Sequence, residues 1–170
     1  YGMSADTKVG VWAYPDDGDC SAGRSLLDVS NLDISRVTAE IRALQPSGNT
    51  PTALALRAVT DSLKTQGFSS GTIVLATDGE ANCNQDPCEV ARQIVAEGFD
   101  LTVNPTGINI SDVGREQLEC IADATGGKYY DANNAADLME SLLDGSRAAL
   151  TLETTGTSGT ARAGSRPPAP

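Results

Sequence analysis

No histidine occurs in this 170-residue chain, and tryptophan, phenylalanine and tyrosine together make up only 4% of it. Without imidazole the chain lacks both the commonest general base and the commonest zinc ligand. Four cysteines are present, Cys20, Cys83, Cys88 and Cys120, but no two form a Cys-x-x-Cys pair, so zinc is not expected. Basic residues are also few, 12 Lys and Arg against 23 Asp and Glu, for a net charge of −11. That balance excludes nucleic acid as an expected partner, since phosphate recognition needs a basic face. No apolar run approaches the roughly 20 residues that span a bilayer. No signal peptide opens the chain, and Tyr1 is not an initiator methionine. A mature, processed or excised segment is the expectation, compatible with export.

The length suffices for one domain with a single core. An even set of cysteines without a metal partner reads as disulfides in an oxidising compartment, extracellular or at a cell surface, with buried free thiols as the alternative. The carboxylate-rich surface suits cations or basic proteins, besides serving solubility.

Lys8 to Tyr14 reads as a strand stopped by Pro15-Asp16-Asp17-Gly18-Asp19, and Ser25 to Val29 as a second strand pairing back on it. In the latter half of the first strand, Trp12 is expected in the core. Ile34, Val37, Ile41 and Leu44 fall at helical spacing behind Asp33, a candidate N-cap, and Pro46-Ser47-Gly48 ends that helix. Thr50-Pro51 opens another, with threonine at the cap and proline at the first position; its apolar residues cover most of its circumference, which predicts deep burial.

Thr72 to Ala76 is a near-continuous apolar strand of the parallel, buried kind. Asp86-Pro87-Cys88-Glu89 is a capping signature for a helix ended by Gly98. Phe99 to Val103 reads as a strand, Ser111 or Asp112 as the cap of a helix ended by Gly126-Gly127, Lys128 to Tyr130 as a short strand, and Asn134 as the cap of a last helix. Alternation of strand and helix from residue 72 predicts an α/β fold: a doubly wound, mainly parallel sheet with helices on both faces. Residues 1–150 form the expected domain. Residues 151–170, rich in Thr, Gly, Ser, Ala and Pro, read as a flexible tail, with a strand near Leu150 to Leu152 as the alternative.

Ligand sites in such sheets lie at the carboxyl ends of the strands, and Asp78 stands just past one of them. Two segments there, Ser47-Gly48-Asn49-Thr50-Pro51-Thr52-Ala53-Leu54 and Leu75-Ala76-Thr77-Asp78-Gly79-Glu80, resemble the second and third metal loops of the von Willebrand factor type A family. The likeness runs over about residues 8–145. It implies that Thr50 and Asp78 are ligands of Mg2+, or of Mn2+ or Ca2+, with Glu80 and Thr52 as candidates for the surrounding shell. It also implies a protein partner whose carboxylate completes the ion's coordination. Hard oxygen donors with retained water suit such ions.

The family's first metal loop, Asp-x-Ser-x-Ser at the end of a central strand, is absent. Asp28-Val29-Ser30-Asn31-Leu32 and Asp33-Ile34-Ser35-Arg36-Val37 begin correctly but place Leu32 and Val37 at the second serine, and both lie after the strand at 8–14 instead of before it. Capping and turn roles explain Asp33, Ser35 and Ser30 better. With the first strand missing from between those at 8–14 and 72–76, two central edges are expected to lack partners, each costly to bury. A further segment or another chain is expected to supply that strand.

Neighbouring crossover helices would bring Cys88 to Cys120, and loops at the strand ends would bring Cys20 to Cys83; Cys83 with Cys88 is the runner-up. Gly67-Phe68-Ser69-Ser70-Gly71 fits a nucleophile elbow by pattern, but it precedes a strand and no histidine exists to serve it. Asn109-Ile110-Ser111 is a glycosylation sequon of the kind that chance supplies. Three functions are therefore expected, in this order: a non-catalytic protein-interaction or adhesion module using a divalent cation, a metal-independent scaffold or assembly subunit, and a non-catalytic subunit of a chelatase-like complex.

Overall fold

Among the described residues the strands form two sheets with no strand pairing between them. In this computed structural model, which describes residues 7–15, 20–45 and 48–156, β1 (Lys8–Ala13) and β2 (Arg24–Asn31) make an antiparallel hairpin. The second sheet is parallel, in the order β3 (Ser70–Thr77), β4 (Asp100–Ile108), β5 (Tyr130–Ala132). Five helices accompany them: α1 (Ile34–Ala43), α2 (Thr52–Thr65), α3 (Pro87–Ala96), α4 (Asp112–Thr125) and α5 (Ala135–Gly156). The expected turn at 16–19, the helix stop at 46–47 and the tail from 157 lie outside the described residues. α5 runs past the composition change at 150 to Gly156, so Leu150 to Leu152 is helical.

The parallel half of the molecule follows its local signals. Asp86 caps α3 by accepting from the N–H groups of Cys88 and Glu89, and Ser111 caps α4 by accepting from Gly114 N–H at 3.1 Å. Asn134 accepts from Ala136 and Asp137 N–H groups at the start of α5. Each such cap satisfies amides that the helix leaves unbonded. Gly126 closes α4 at φ 68°, a left-handed conformation cheap only for glycine. Between α3, α4 and the sheet lie Ile94, Val103 and Ile121, all at 0% exposure, with Leu101, Leu56 and Leu118 around them. Each large aliphatic side chain buried this way stabilises the fold by roughly 1.5–3 kcal/mol. Helices cover both faces, since Asn104 points the other way and donates to the Gly145 carbonyl of α5 at 3.0 Å.

β4 continues five residues beyond Val103, through Pro105, where the sequence suggested a stop. Asp100 donates its N–H to the Ser69 carbonyl, so the even-numbered residues of β4 bond to β3 and Pro105 turns its nitrogen to the other side. β5 pairs there only from Thr106 onward, so no ladder donor is lost. Opposite, Gly127 lets the chain graze β4: a Cβ on it would stand 1.8 Å from the Val103 carbonyl oxygen.

The hairpin half is looser. Trp12 is half-buried, outside the core, with its indole N–H donating to the Ala22 carbonyl at 2.8 Å. Asp33 caps α1 as expected, but α1 buries no residue; Ile34 is 65% and Ile41 52% exposed. α2 is deeply buried at Thr52, Ala53, Ala55, Leu56 and Thr60, while Val59 and Leu63 are half-exposed, Leu63 resting against Gly71 of β3. The Cys20–Cys83 disulfide ties the segment after β1 to the loop after β3, and the Val29 N–H donates to Gln66 Oε1 at the end of α2 at 3.1 Å. Cys88 of α3 is bonded to Cys120 of α4, so both favoured pairings form.

Candidate functional site

β3 delivers its carboxyl end to a tight loop whose side chains are nearly all engaged. Thr77, buried at the strand end, folds its hydroxyl over the turn, accepting from Gly79 N–H at 3.3 Å and donating to Gly79 C=O at 3.2 Å. The Ser111 hydroxyl donates to the Glu80 carboxylate, and Ala81 N–H donates to Gln117 Oε1 at 3.0 Å, both from α4 or its cap. Asn82 locks to Thr50 in both directions: Thr50 N–H donates to Asn82 Oδ1 at 2.9 Å, and Asn82 N–H to the Thr50 carbonyl at 3.3 Å. Cys83 closes the loop through its bond to Cys20. Asp78 is the exception, an exposed carboxylate with no hydrogen bond or ion pair among the described residues.

Thr50 sits beside this carboxylate's turn. A Cβ on Gly79 would stand 2.6 Å from Thr50 Oγ1, so only glycine lets the hydroxyl come so close. Thr50 is not the helix cap expected of it: α2 begins at Thr52, with Pro51 in the cap position and no side-chain cap bond. The Thr50 backbone is instead committed to Asn82, and its hydroxyl to the neighbourhood of Gly79.

The other candidates separate from this pair. Glu80 is held toward α4 by Ser111. Thr52, 1% exposed, faces inward and lies near the Tyr14 hydroxyl. Asp28 accepts from the Ser25 hydroxyl, and Asp33 caps α1, so neither supplies the missing first loop. Among the described residues no group of three or more His, Cys, Asp or Glu side chains is arranged to hold a metal ion. Asp78 and Thr50 thus bring a carboxylate and a hydroxyl, both hard oxygen groups, to the turn at Gly79.

Two contributors carried no usable signal in the sequence. Asn82 is one polar residue of an acidic turn, and its bond to Thr50 spans 32 positions. Tyr14 looked like a strand end. Its hydroxyl is fully buried near those of Thr52 and Thr77, but with neither does it reach hydrogen-bonding geometry, and no other described residue partners it. Burial pushes its pKa up, the two threonine hydroxyls pull it part of the way back, and the charge of Asp78 raises it further.

No protein-family model matches the chain. The chain is 28% identical over 120 residues to the uncharacterized protein YwmC of Bacillus subtilis (strain 168), a match covering 70% of this chain and 52% of that protein. It thus spans about half the length of that relative. Among solved structures, it is similar to the vWF domain of the type V pili tip protein Mfa5 from Porphyromonas gingivalis, at TM-score 0.62 and 13% identity, over 91% of this chain and 82% of that one. It is also similar to the VWA domain of SpRpn10, at TM-score 0.54 and 11% identity, over 73% and 64% of the two chains. The fold is therefore VWA-like, as the two loop segments suggested.

Proposed function

We propose that this chain is a non-catalytic protein-interaction or adhesion module, secreted or exposed at a cell surface, that engages its partner through a divalent cation at the carboxyl end of β3. The observation that carries the reading is Asp78. Around it Thr77, Glu80, Ala81, Asn82 and Cys83 are each pinned by a hydrogen bond or a disulfide, while the exposed Asp78 carboxylate is left unengaged among the described residues. A rigid loop holding a free carboxylate next to a threonine hydroxyl is a preorganised half-site for Mg2+, Mn2+ or Ca2+. The cation would supply a bridge to a carboxylate offered by the partner. Two disulfides support placement in an oxidising compartment, and the VWA-like fold of a pilus tip domain supports a role in surface contact.

Titration calorimetry of Mg2+ and Mn2+ into the natural polypeptide tests this. Binding is expected that Asp78→Ala abolishes and Thr50→Ala weakens by roughly tenfold, the worth of one oxygen ligand at about 1.4 kcal/mol. Absence of any cation-dependent heat would sink the reading. A second reading, a metal-independent scaffold, draws on the lack of a third acidic ligand among the described residues. It predicts partner capture that a chelator leaves unchanged.

A further inference from the structure

We propose that the Cys20–Cys83 disulfide is a redox latch on the turn that carries Asp78: closed, it holds Thr50 against Gly79, and opened by an external thiol it releases Thr50. Such a latch regulates the site named above and rests on the cation reading only for its effect on binding. Its opening and its hold on Thr50 are read without any cation.

The two disulfides of this chain are placed differently. Cys88, 3% exposed, and the half-buried Cys120 join α3 to α4, two helices packed against each other, and Arg92 donates to Cys120 Sγ at 3.2 Å. Cys20, between β1 and β2, is the one exposed cysteine of the four, and Cys83, in the loop after β3, is 7% exposed. Thiol exchange begins with a thiolate reaching a sulfur, so access decides which bond opens. Cys20 gives that access.

The Cys20–Cys83 sulfurs touch the anchorage of Thr50 on both sides. Asn49, the residue before it, donates its side-chain N–H to Cys20 Sγ at 3.9 Å. Cys83 Sγ lies 3.5 Å from Asn82 Oδ1, the same oxygen that accepts the Thr50 N–H at 2.9 Å, and the Asn82 N–H bonds the Thr50 carbonyl at 3.3 Å. These contacts set the backbone that places Thr50 Oγ1 over Gly79. α2 gives Thr50 no side-chain cap to hold it, since the helix begins only at Thr52.

Opening needs two equivalents of a low-molecular-weight thiol. A first thiolate attacks Cys20 Sγ, forming a mixed disulfide and expelling the Cys83 thiolate, which takes up a proton. A second thiolate attacks the external sulfur and releases Cys20; two thiols are oxidised to one disulfide, and the cystine is reduced to two cysteines. Cys83 then carries an S–H beside the oxygen that holds Thr50, a second donor where there was none.

The natural polypeptide treated with rising 2-mercaptoethanol under native conditions, then alkylated and mapped by peptide mass, tests the order of opening. Cys20 and Cys83 should become alkylated at about a tenfold lower thiol concentration than Cys88 and Cys120. In the opened protein the Thr50 amide should exchange about tenfold faster while Val103 in β4 keeps its protection. Cys20→Ser with Cys83→Ser should reproduce that change without thiol, and Cys88→Ser with Cys120→Ser should not. Opening of Cys88–Cys120 first, or a Thr50 amide indifferent to the state of Cys20–Cys83, overturns the proposal. If the serine variants do not fold, the thiol-opened protein decides by the same amide. Mn2+ affinity of the closed and opened forms separates this latch from the reading it rests on. A loss of about tenfold on opening supports both. Equal affinity overturns the latch and leaves the cation reading standing, whereas no binding to either form sinks the cation reading and leaves the Thr50 amide to decide the latch.

Discussion

β3 and β4 lie side by side over eight paired residues, yet they are in different physical situations. β4 has a neighbour on each side and is buried at Leu101 and from Val103 to Gly107; β3 has one neighbour among the described residues, and its middle from Thr72 to Val74 is only half-covered. β3, Ser-Gly-Thr-Ile-Val-Leu-Ala-Thr, has the more continuous apolar run, whereas β4 carries Asp100, Thr102, Asn104 and Thr106, yet β4 is the more deeply buried. The difference shows that composition marks a strand as interior, but only a second bonded edge makes it so.

The largest effect expected to break this comparison concerns the two disulfides. Their sequence separations of 63 and 32 residues put the stabilisation at about 4 kcal/mol each. The outcomes should nevertheless differ in kind. Replacing Cys88 and Cys120 by serine should lower the stability of the whole parallel half, read as a shifted denaturation midpoint. Replacing Cys20 and Cys83 should release the hairpin first, read as rapid amide exchange in β1 and β2 while β4 stays protected. Equal loss of protection in both sheets would show that they fold as one unit.

A smaller effect sharpens the contrast between the strands themselves. Leu101→Ala in β4 removes a side chain that is 2% exposed and should cost about 3 kcal/mol. Ile73→Ala in β3, half-exposed at its site, should cost about 1 kcal/mol in the 170-residue chain. Equal costs by urea denaturation would refute the idea that β3 is incompletely packed.

The smallest effect is just past the end of β1. Tyr14→Phe removes a buried hydroxyl without a partner, so the 170-residue chain should gain up to about 1 kcal/mol. The sign with pH follows from the raised pKa of Tyr14. The contribution is intact below the unfolded value of about 10 and is lost as pH rises toward the folded one, because only the unfolded chain ionises freely there. Tyr14→Phe should therefore flatten the fall in stability above about pH 10; an unchanged slope in alkaline melts would count against the burial of that hydroxyl.

Much of the parallel half was legible in the sequence because its signals are local. Asp86-Pro87 and Ser111 mark helix starts by their own chemistry, and Gly126 marks an end. The cysteine pairing followed from which helices neighbour which. What was not legible depended on distant partners. The strand expected to end at Val103 runs on through Pro105, which fits only because of the hydrogen-bonding side it occupies in β4. Thr50 looked like a cap because no sequence rule connects it with Asn82. Trp12 looked like core but is half-buried, and the apolar stripe of α1 is largely exposed, which no local pattern encodes. At the site, Asp78 stood out by position, whereas the bonds that pin its neighbours join residues 30 or more positions apart.

The Cys20–Cys83 bond has a mechanical consequence. The bond joins the segment after β1 covalently to Cys83, next to Asn82 and its bond to Thr50, so part of any tension applied to the hairpin reaches that turn through the sulfur atoms. A pull on one end of the molecule thus arrives at the turn carrying Asp78 without first crossing the hydrophobic interior.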